Sequence, residues 1–253
     1  MRNYKLILQY EGTRYQGWQR QESTGNTIQG RLEALLTKMT GAPVEIQGSG
    51  RTDAGVHALG QVANFHADIS MRAEEVRDYM NRYLPEDIAV IQAEEVPERF
   101  HSRLNARGKT YRYQIVNGKV PAVFGRRYSW HIEEPLDTQA MKKAAGYLTG
   151  THDFQSFTSA KKGKKSTIRT IDSICITTER CAGNDKIILS FSGDGFLYHM
   201  VRILTGTLVE VGKGLRAPED IPGLLEQKDR QKSGALAPAQ GLTLVEVRYE
   251  MKK

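Results

Sequence analysis

The strongest constraint on this chain is the order in which its hydrophobic periodicity changes. Alternation comes first: Tyr4, Leu6, Leu8 and Tyr10 share one face of a strand over residues 4–10. After a glycine-containing loop, Ile28, Leu32, Leu35, Leu36 and Met39 recur at helical spacing. Asn26 or Thr27 is positioned to cap that helix, and Gly41 and Pro43 stop it. Residues 44–47 and 61–66 read as extended. Ser70 is the expected cap of a second helix with Val76, Tyr79, Met80 and Tyr83 on one face. Pro85 closes it and Ile88–Val96 is a strand. The first part reads β-α-β-β-α-β.

The second part echoes that order. Residues 110–116 form a strand with Tyr111, Tyr113 and Ile115 on one side and Arg112 on the other. Asp137 begins a helix striped with Ala140, Met141, Ala144, Ala145 and Leu148. Strands over 168–177 and 187–191, a helix over about 197–211 and a last strand, Leu242–Tyr249, complete the series. Residues 161–165 and 216–240 read as loops. The expected class is α+β, with two similar halves, 1–104 and 105–253, joined near 100–107. Each half offers one sheet face to helices and leaves the other for a ligand.

Composition narrows the function. Lys and Arg number 36 against 29 Asp and Glu, a net charge of +7 that favours polyanionic partners such as nucleic acid. No apolar run reaches the ~20 residues that span a bilayer, and the N-terminus lacks the small-residue cleavage site of an export signal. A cytoplasmic location is expected. Cys175 and Cys181 form neither a CxxC pair nor part of a zinc cluster, and no HxxxH occurs, so reduced structural thiols and no metal are expected. Neither GxxxxGK[ST] nor GxGxxG follows a strand, and no GxSxG elbow occurs, which argues against P-loop, dinucleotide and hydrolase chemistry.

Three segments carry polar groups in unusual settings. In GSGRTDAGVHALGQVANF, residues 48–65, Asp53 lies among glycines that permit tight turns and close approach of a polymer backbone, with Arg51 and Thr52 before it and His57 after it. This pattern serves an active-site loop, a phosphate-binding loop, or a turn whose Asp accepts local backbone hydrogen bonds. The segment 103–113 interleaves Arg103, Arg107, Lys109 and Arg112 with Tyr111 and Tyr113, suiting phosphates and bases, although a strand tyrosine is commonly a core residue. In residues 193–202, Arg202 stands in an apolar helix where a guanidinium needs a partner, and Asp53 is the natural one. Pairing would keep Asp53 ionised as nucleophile or base. His199 and Gly206 fall on the side of Arg202, Gly206 allowing close backbone packing. The KKGKK run at 161–165 either grips phosphate or is a solvated loop.

Taken together these segments resemble the TruA family of tRNA pseudouridine synthases. The resemblance rests on Tyr15-Gln16-Gly17-Trp18 with Gln21, GRTDAGVHA at 50–58, KTYRY at 109–113, Gly150-Thr151-His152-Asp153-Phe154 with Phe157, GFLYHMVR at 195–202, and Ala237-Pro238-Ala239 with Gly241-Leu242. Asp194 and the 161–165 loop depart from the family pattern. The resemblance implies two ferredoxin/RRM-like α/β halves around a central antiparallel sheet with a catalytic cleft. It implies Asp53 as the catalytic aspartate, Arg202 as its ion-pair partner and Tyr111 as the aromatic against the target base. Arg51 would displace that nucleotide, with Thr52, His57, Lys109 and His199 as further substrate contacts. It also implies a homodimer in which one tRNA touches both subunits, targets at tRNA positions 38, 39 and 40, and a redox-neutral isomerisation without cofactor. A non-catalytic RNA-binding protein would share the charge and aromatics but gains nothing from an embedded Asp53. A synthase acting on ribosomal RNA or another tRNA site is the nearer alternative.

Overall fold

The computed structural model describes residues 1–161, 163, 166–181 and 183–249. In chain order the elements are β1 (Arg2–Tyr10), α1 (Ile28–Thr40), β2 (Ile46–Gly48), β3 (His57–Ala67), α2 (Ala73–Tyr83), β4 (Ile88–Val96) and β5 (Ala106–Asn117). There follow β6 (Trp130–Ile132), α3 (Thr138–Leu148), β7 (Gly150–Asp153), β8 (Ile168–Cys181), β9 (Asn184–Gly193), α4 (Met200–Gly212), α5 (Ile221–Gln227) and β10 (Leu242–Tyr249). The described residues divide into two compact units, residues 1–107 with 243–249, and residues 108–242. The class is α+β.

In the first unit the strand order is β4-β1-β3-β10, with β2 also on β3. The antiparallel pairs follow from the alternation of β1: Tyr4, Leu6 and Leu8 are fully buried, and Tyr4 opposes Phe65 with the rings stacked at 5.3 Å. β10 pairs with β3 in parallel, at Thr243 with His57 and Leu244 with Ala58. The last strand thus belongs to the first unit, not to the second half as the order along the chain suggests. Gly60 makes room for it, since a Cβ there would meet the Val245 carbonyl oxygen at 2.4 Å. Tyr249 adds a hydrogen bond to the Ser102 carbonyl and a ring contact with Phe100 at 5.4 Å.

Helix α1 starts where its sequence directs: the Thr27 hydroxyl accepts from the Gly30 N–H, and Gly41 ends the helix in the left-handed region at φ 75°. Ile28, Leu32 and Leu36 lie on its buried face. Helix α2 begins two residues later than Ser70 predicts. Arg72 is its cap, with the Glu75 carboxylate accepting from the Arg72 N–H at 2.7 Å, so Ser70 caps nothing. Val76 and Met80 are buried as expected, whereas Tyr83 is exposed and meets Tyr79 at 4.8 Å.

In the second unit β5, β9, β8 and β7 lie side by side and antiparallel, with β6 parallel to β5. Tyr111 opposes Phe191, Tyr113 opposes Leu189 and Ile115 opposes Ile187, forming one apolar face. Helix α3, capped by Asp137, packs against α4 and β8 through Met141, Ala144, Ala145 and Leu148. Two short strands, β6 and β7, escape the sequence reading because three or four residues carry too little alternation to be seen. The stretch 216–240 is not only loop. It holds α5 with Pro222 in its first turn, and short 3-10 turns at 218–220, 230–232 and 239–241. Helix α4 begins at Met200 and not near 197, because His199 has left-handed backbone at φ 64° and cannot continue a helix. Cys175 is exposed on β8, a surface thiol and not a core one. Of the 161–165 run, Lys162, Lys164 and Lys165 lie outside the described residues.

Candidate active site

In the first unit the site is the turn between β2 and β3 that carries Asp53. Its backbone is fixed from one side by the segment 12–18. The Trp18 N–H donates to the Thr52 carbonyl at 3.0 Å, and the Gly55 N–H donates to the Tyr15 carbonyl. The Val56 N–H closes the turn onto the Asp53 carbonyl at 3.1 Å. Gly17, at φ 89°, lies against this turn, and a Cβ there would sit 2.7 Å from the Thr52 oxygen. The Tyr15-Gln16-Gly17-Trp18 motif is therefore a clamp on the Asp53 turn. Trp18, 2% exposed, lies over Gly48, where a Cβ would press into its indole at 2.5 Å.

Behind the turn is a buried polar chain. The Thr52 and Tyr10 hydroxyls share a hydrogen bond of 2.8 Å, and Gln61 donates to the Gly50 carbonyl at 3.0 Å while accepting from the Ser49 hydroxyl at 2.7 Å. Burial pushes the Tyr10 hydroxyl up to about 12, with the hydrogen bonds from Thr52 and Gln61 opposing it, so Tyr10 stays neutral. Tyr15 donates to Asp87 at 2.6 Å. Desolvation works against the Asp87 anion, yet the hydrogen bonds from Tyr15 and Arg14 hold its carboxyl below the ordinary range. That pair ties the clamp to the start of β4.

The predicted residues of this unit fall into two groups. Asp53 is half-buried and Arg51 is exposed, its Nε donating to the Gln19 side chain at 3.0 Å. Thr52 and His57 are buried, at 6% and 3% exposure. His57 Nδ1 accepts from the Gly12 N–H at 3.0 Å. In this structure both hold the turn in shape. Neither offers a substrate an open edge.

In the second unit the predicted residues cluster near β5, β9 and the start of α4. Tyr111 is 8% exposed, its ring edge-on to Phe196 at 5.3 Å. Lys109 is half-buried opposite Gly193. Arg202 stands in the first turn of α4, and its Nε donates to the Ala237 carbonyl at 2.8 Å, while the Ala237 N–H donates back to the Arg202 carbonyl. The next residue, Pro238, accepts the Tyr113 hydroxyl at 2.7 Å. Gly206 lets this segment pass, because a Cβ there would meet the Ala235 carbonyl oxygen at 1.8 Å. The Ala237-Pro238 motif thus positions the Arg202 side chain. His199, predicted to lie on the helix, precedes it, its ring stacked on Tyr198 at 3.7 Å. Sequence reasoning missed Tyr10, Gln61 and the clamp role of residues 15–18. Only the glycines pointed that way.

Among the described residues no group of three His, Cys, Asp or Glu is placed to hold a metal ion, and no helix is long and apolar enough to cross a membrane.

A family model described as tRNA pseudouridine synthase matches residues 6–105 and 144–250, which include Asp53 and Arg202 but not Lys109 or Tyr111. The chain belongs to the TruA family of tRNA pseudouridine synthases and is an isomerase of that class. It is 51% identical over 244 residues to tRNA pseudouridine synthase A of Bacillus sp. (strain KSM-64), covering 96% of this chain and 98% of that protein. It is 47% identical to tRNA pseudouridine synthase A 2 of Bacillus anthracis and 44% identical to tRNA pseudouridine synthase A of Acetivibrio thermocellus, each over 98% of this chain and the full length of the relative.

Proposed function

We propose that this enzyme converts uridine to pseudouridine at positions 38, 39 and 40 of the tRNA anticodon stem-loop, with Asp53 as the catalytic carboxylate. The observation that carries the reading is the preorganised turn of the first unit. A half-buried carboxylate is displayed on backbone locked by Trp18, Tyr15 and Val56, with a neutral tyrosine behind it. Arg202 is assigned as the ion-pair partner of Asp53, Tyr111 as the ring against the uracil, and Arg51 as the group that displaces the nucleotide. Thr52 and His57 support the turn, and Lys109 and His199 serve the RNA.

The chemistry fits these groups. The uridine must leave its stack, at a cost of a few kcal/mol, before its glycosidic carbon is reachable. An ionised Asp53 then attacks C1′ of the sugar or C6 of the base, or takes a proton from the sugar. The C1′–N1 bond breaks, the held uracil rotates, and a C1′–C5 bond forms. The C5 proton is lost and N1 gains one, so no electrons are exchanged and no redox cofactor is required. The enzyme acts in the cytoplasm as a homodimer, one tRNA touching both subunits.

Asp53→Asn is expected to abolish tritium release from tRNA labelled at uridine C5 while tRNA binding persists. Wild-type-like release by that variant would refute the assignment. Mapping pseudouridine in bulk tRNA and ribosomal RNA with and without the enzyme tests the three positions, and a product confined to ribosomal RNA would overturn them.

A further inference from the structure

The residues between β9 and α4 contain a strained position, His199, and a displayed side chain, Tyr198, to which the proposed reaction gives no role. His199 holds φ at 64°, a region that costs a side-chain-bearing residue energy and that is favoured, outside glycine, by Asn, Asp and His. This conformation places the Tyr198 ring against the imidazole, with centroids 3.7 Å apart and planes 28° from parallel. Tyr198 nevertheless remains 56% exposed. Its backbone is held in place: the Tyr198 carbonyl accepts from the Thr158 hydroxyl at 3.0 Å and from the Ser159 N–H at 3.3 Å. An aromatic ring backed on one side and presented to solvent on a fixed backbone offers a face on which a nucleobase can stack.

We infer that the Tyr198–His199 stack is a platform for a nucleobase of the tRNA, distinct from the uracil that reacts. This rests on the proposed tRNA substrate. The distinction comes from burial: Tyr111, assigned to the reacting uracil, is 8% exposed and suits a base taken out of its stack, whereas Tyr198 faces outward and suits a base still on the polymer.

The test compares Tyr198→Ala and Tyr198→Phe in the full chain, using an unmodified tRNA transcript, heparin as a polyanion without bases, and tritium release. Tyr198→Ala is expected to weaken tRNA binding about ten-fold, the size of one lost base stack, and to raise KM more than it lowers kcat. Heparin binding and the melting temperature should not move, and Tyr198→Phe should bind like the wild type. Wild-type tRNA binding by Tyr198→Ala, equal losses in Ala and Phe, or a parallel loss of heparin binding would each overturn the platform. If the wild-type chain releases no tritium yet its tRNA binding still depends on the ring, the platform stands and the functional reading falls.

Discussion

Gly206 has no room for even one methyl group, since the Ala235 carbonyl oxygen occupies the place. Gly206→Ala must push the 233–238 segment away from α4, at a cost of about 1–3 kcal/mol or more, and the displaced Ala237 takes the Arg202 side chain with it. A lowered urea midpoint together with reduced tritium release is expected, and unchanged values of both would show that the segment does not steer Arg202. Gly17→Ala tests the other unit. With φ at 89° and the Thr52 oxygen 2.7 Å from the new Cβ, the Asp53 turn must shift, and activity should fall further than stability. At this scale the sequence was informative where a residue type was out of place. Asp53 among glycines and Arg202 in an apolar helix were visible for that reason. Tyr10 and Gln61 were not, because a strand tyrosine and glutamine look ordinary until the loop they support is folded over them.

At the scale of elements, the long periodic segments were legible and the short ones were not. α1 runs from its predicted cap to its predicted stop, and the bounds of β4 and β10 match the sequence reading, because each carries enough alternation or helical spacing to declare itself. α2 shows how a cap can mislead: Ser70 has the right chemistry but lies too far from Ala73, and the Glu75 carboxylate does the capping from inside the helix. Substitutions separate the two cases. Thr27→Ala should cost about 1 kcal/mol in urea unfolding, the usual loss of a capping hydroxyl, whereas Ser70→Ala should leave the midpoint where it was. Equal effects from both would place the start of α2 elsewhere.

For the whole molecule, buried tyrosines set an alkaline limit. Burial raises the hydroxyl of Tyr10 to about 12, and it raises those of Tyr15, Tyr113 and Tyr249 further. The unfolded chain loses these protons near pH 10, so above that point it binds fewer protons than the folded chain and stability falls as pH rises. Below about pH 10 this contribution is complete; for Tyr10 it is lost as pH climbs through about 12. Urea midpoints measured from about pH 8 to 11 should be level and then drop, with a shallower fall in Tyr10→Phe. A level profile throughout would contradict the burial. The division of the chain was the least legible property at this scale. Reading along the sequence groups neighbours, and nothing in residues 242–249 announces that they pair with a strand formed near residue 57, through only two parallel partners.

That late strand has a consequence for biosynthesis. A ribosome finishes β1 to β4 long before it makes β10, so the growing polypeptide carries a β3 whose end nearest Asp53 still lacks its neighbour. β3 gains its parallel neighbour only after every other strand of the sheet has been made. The Asp53 turn does not share that delay, because the contacts that hold it come from residues 10–61 and are all made before β10 is.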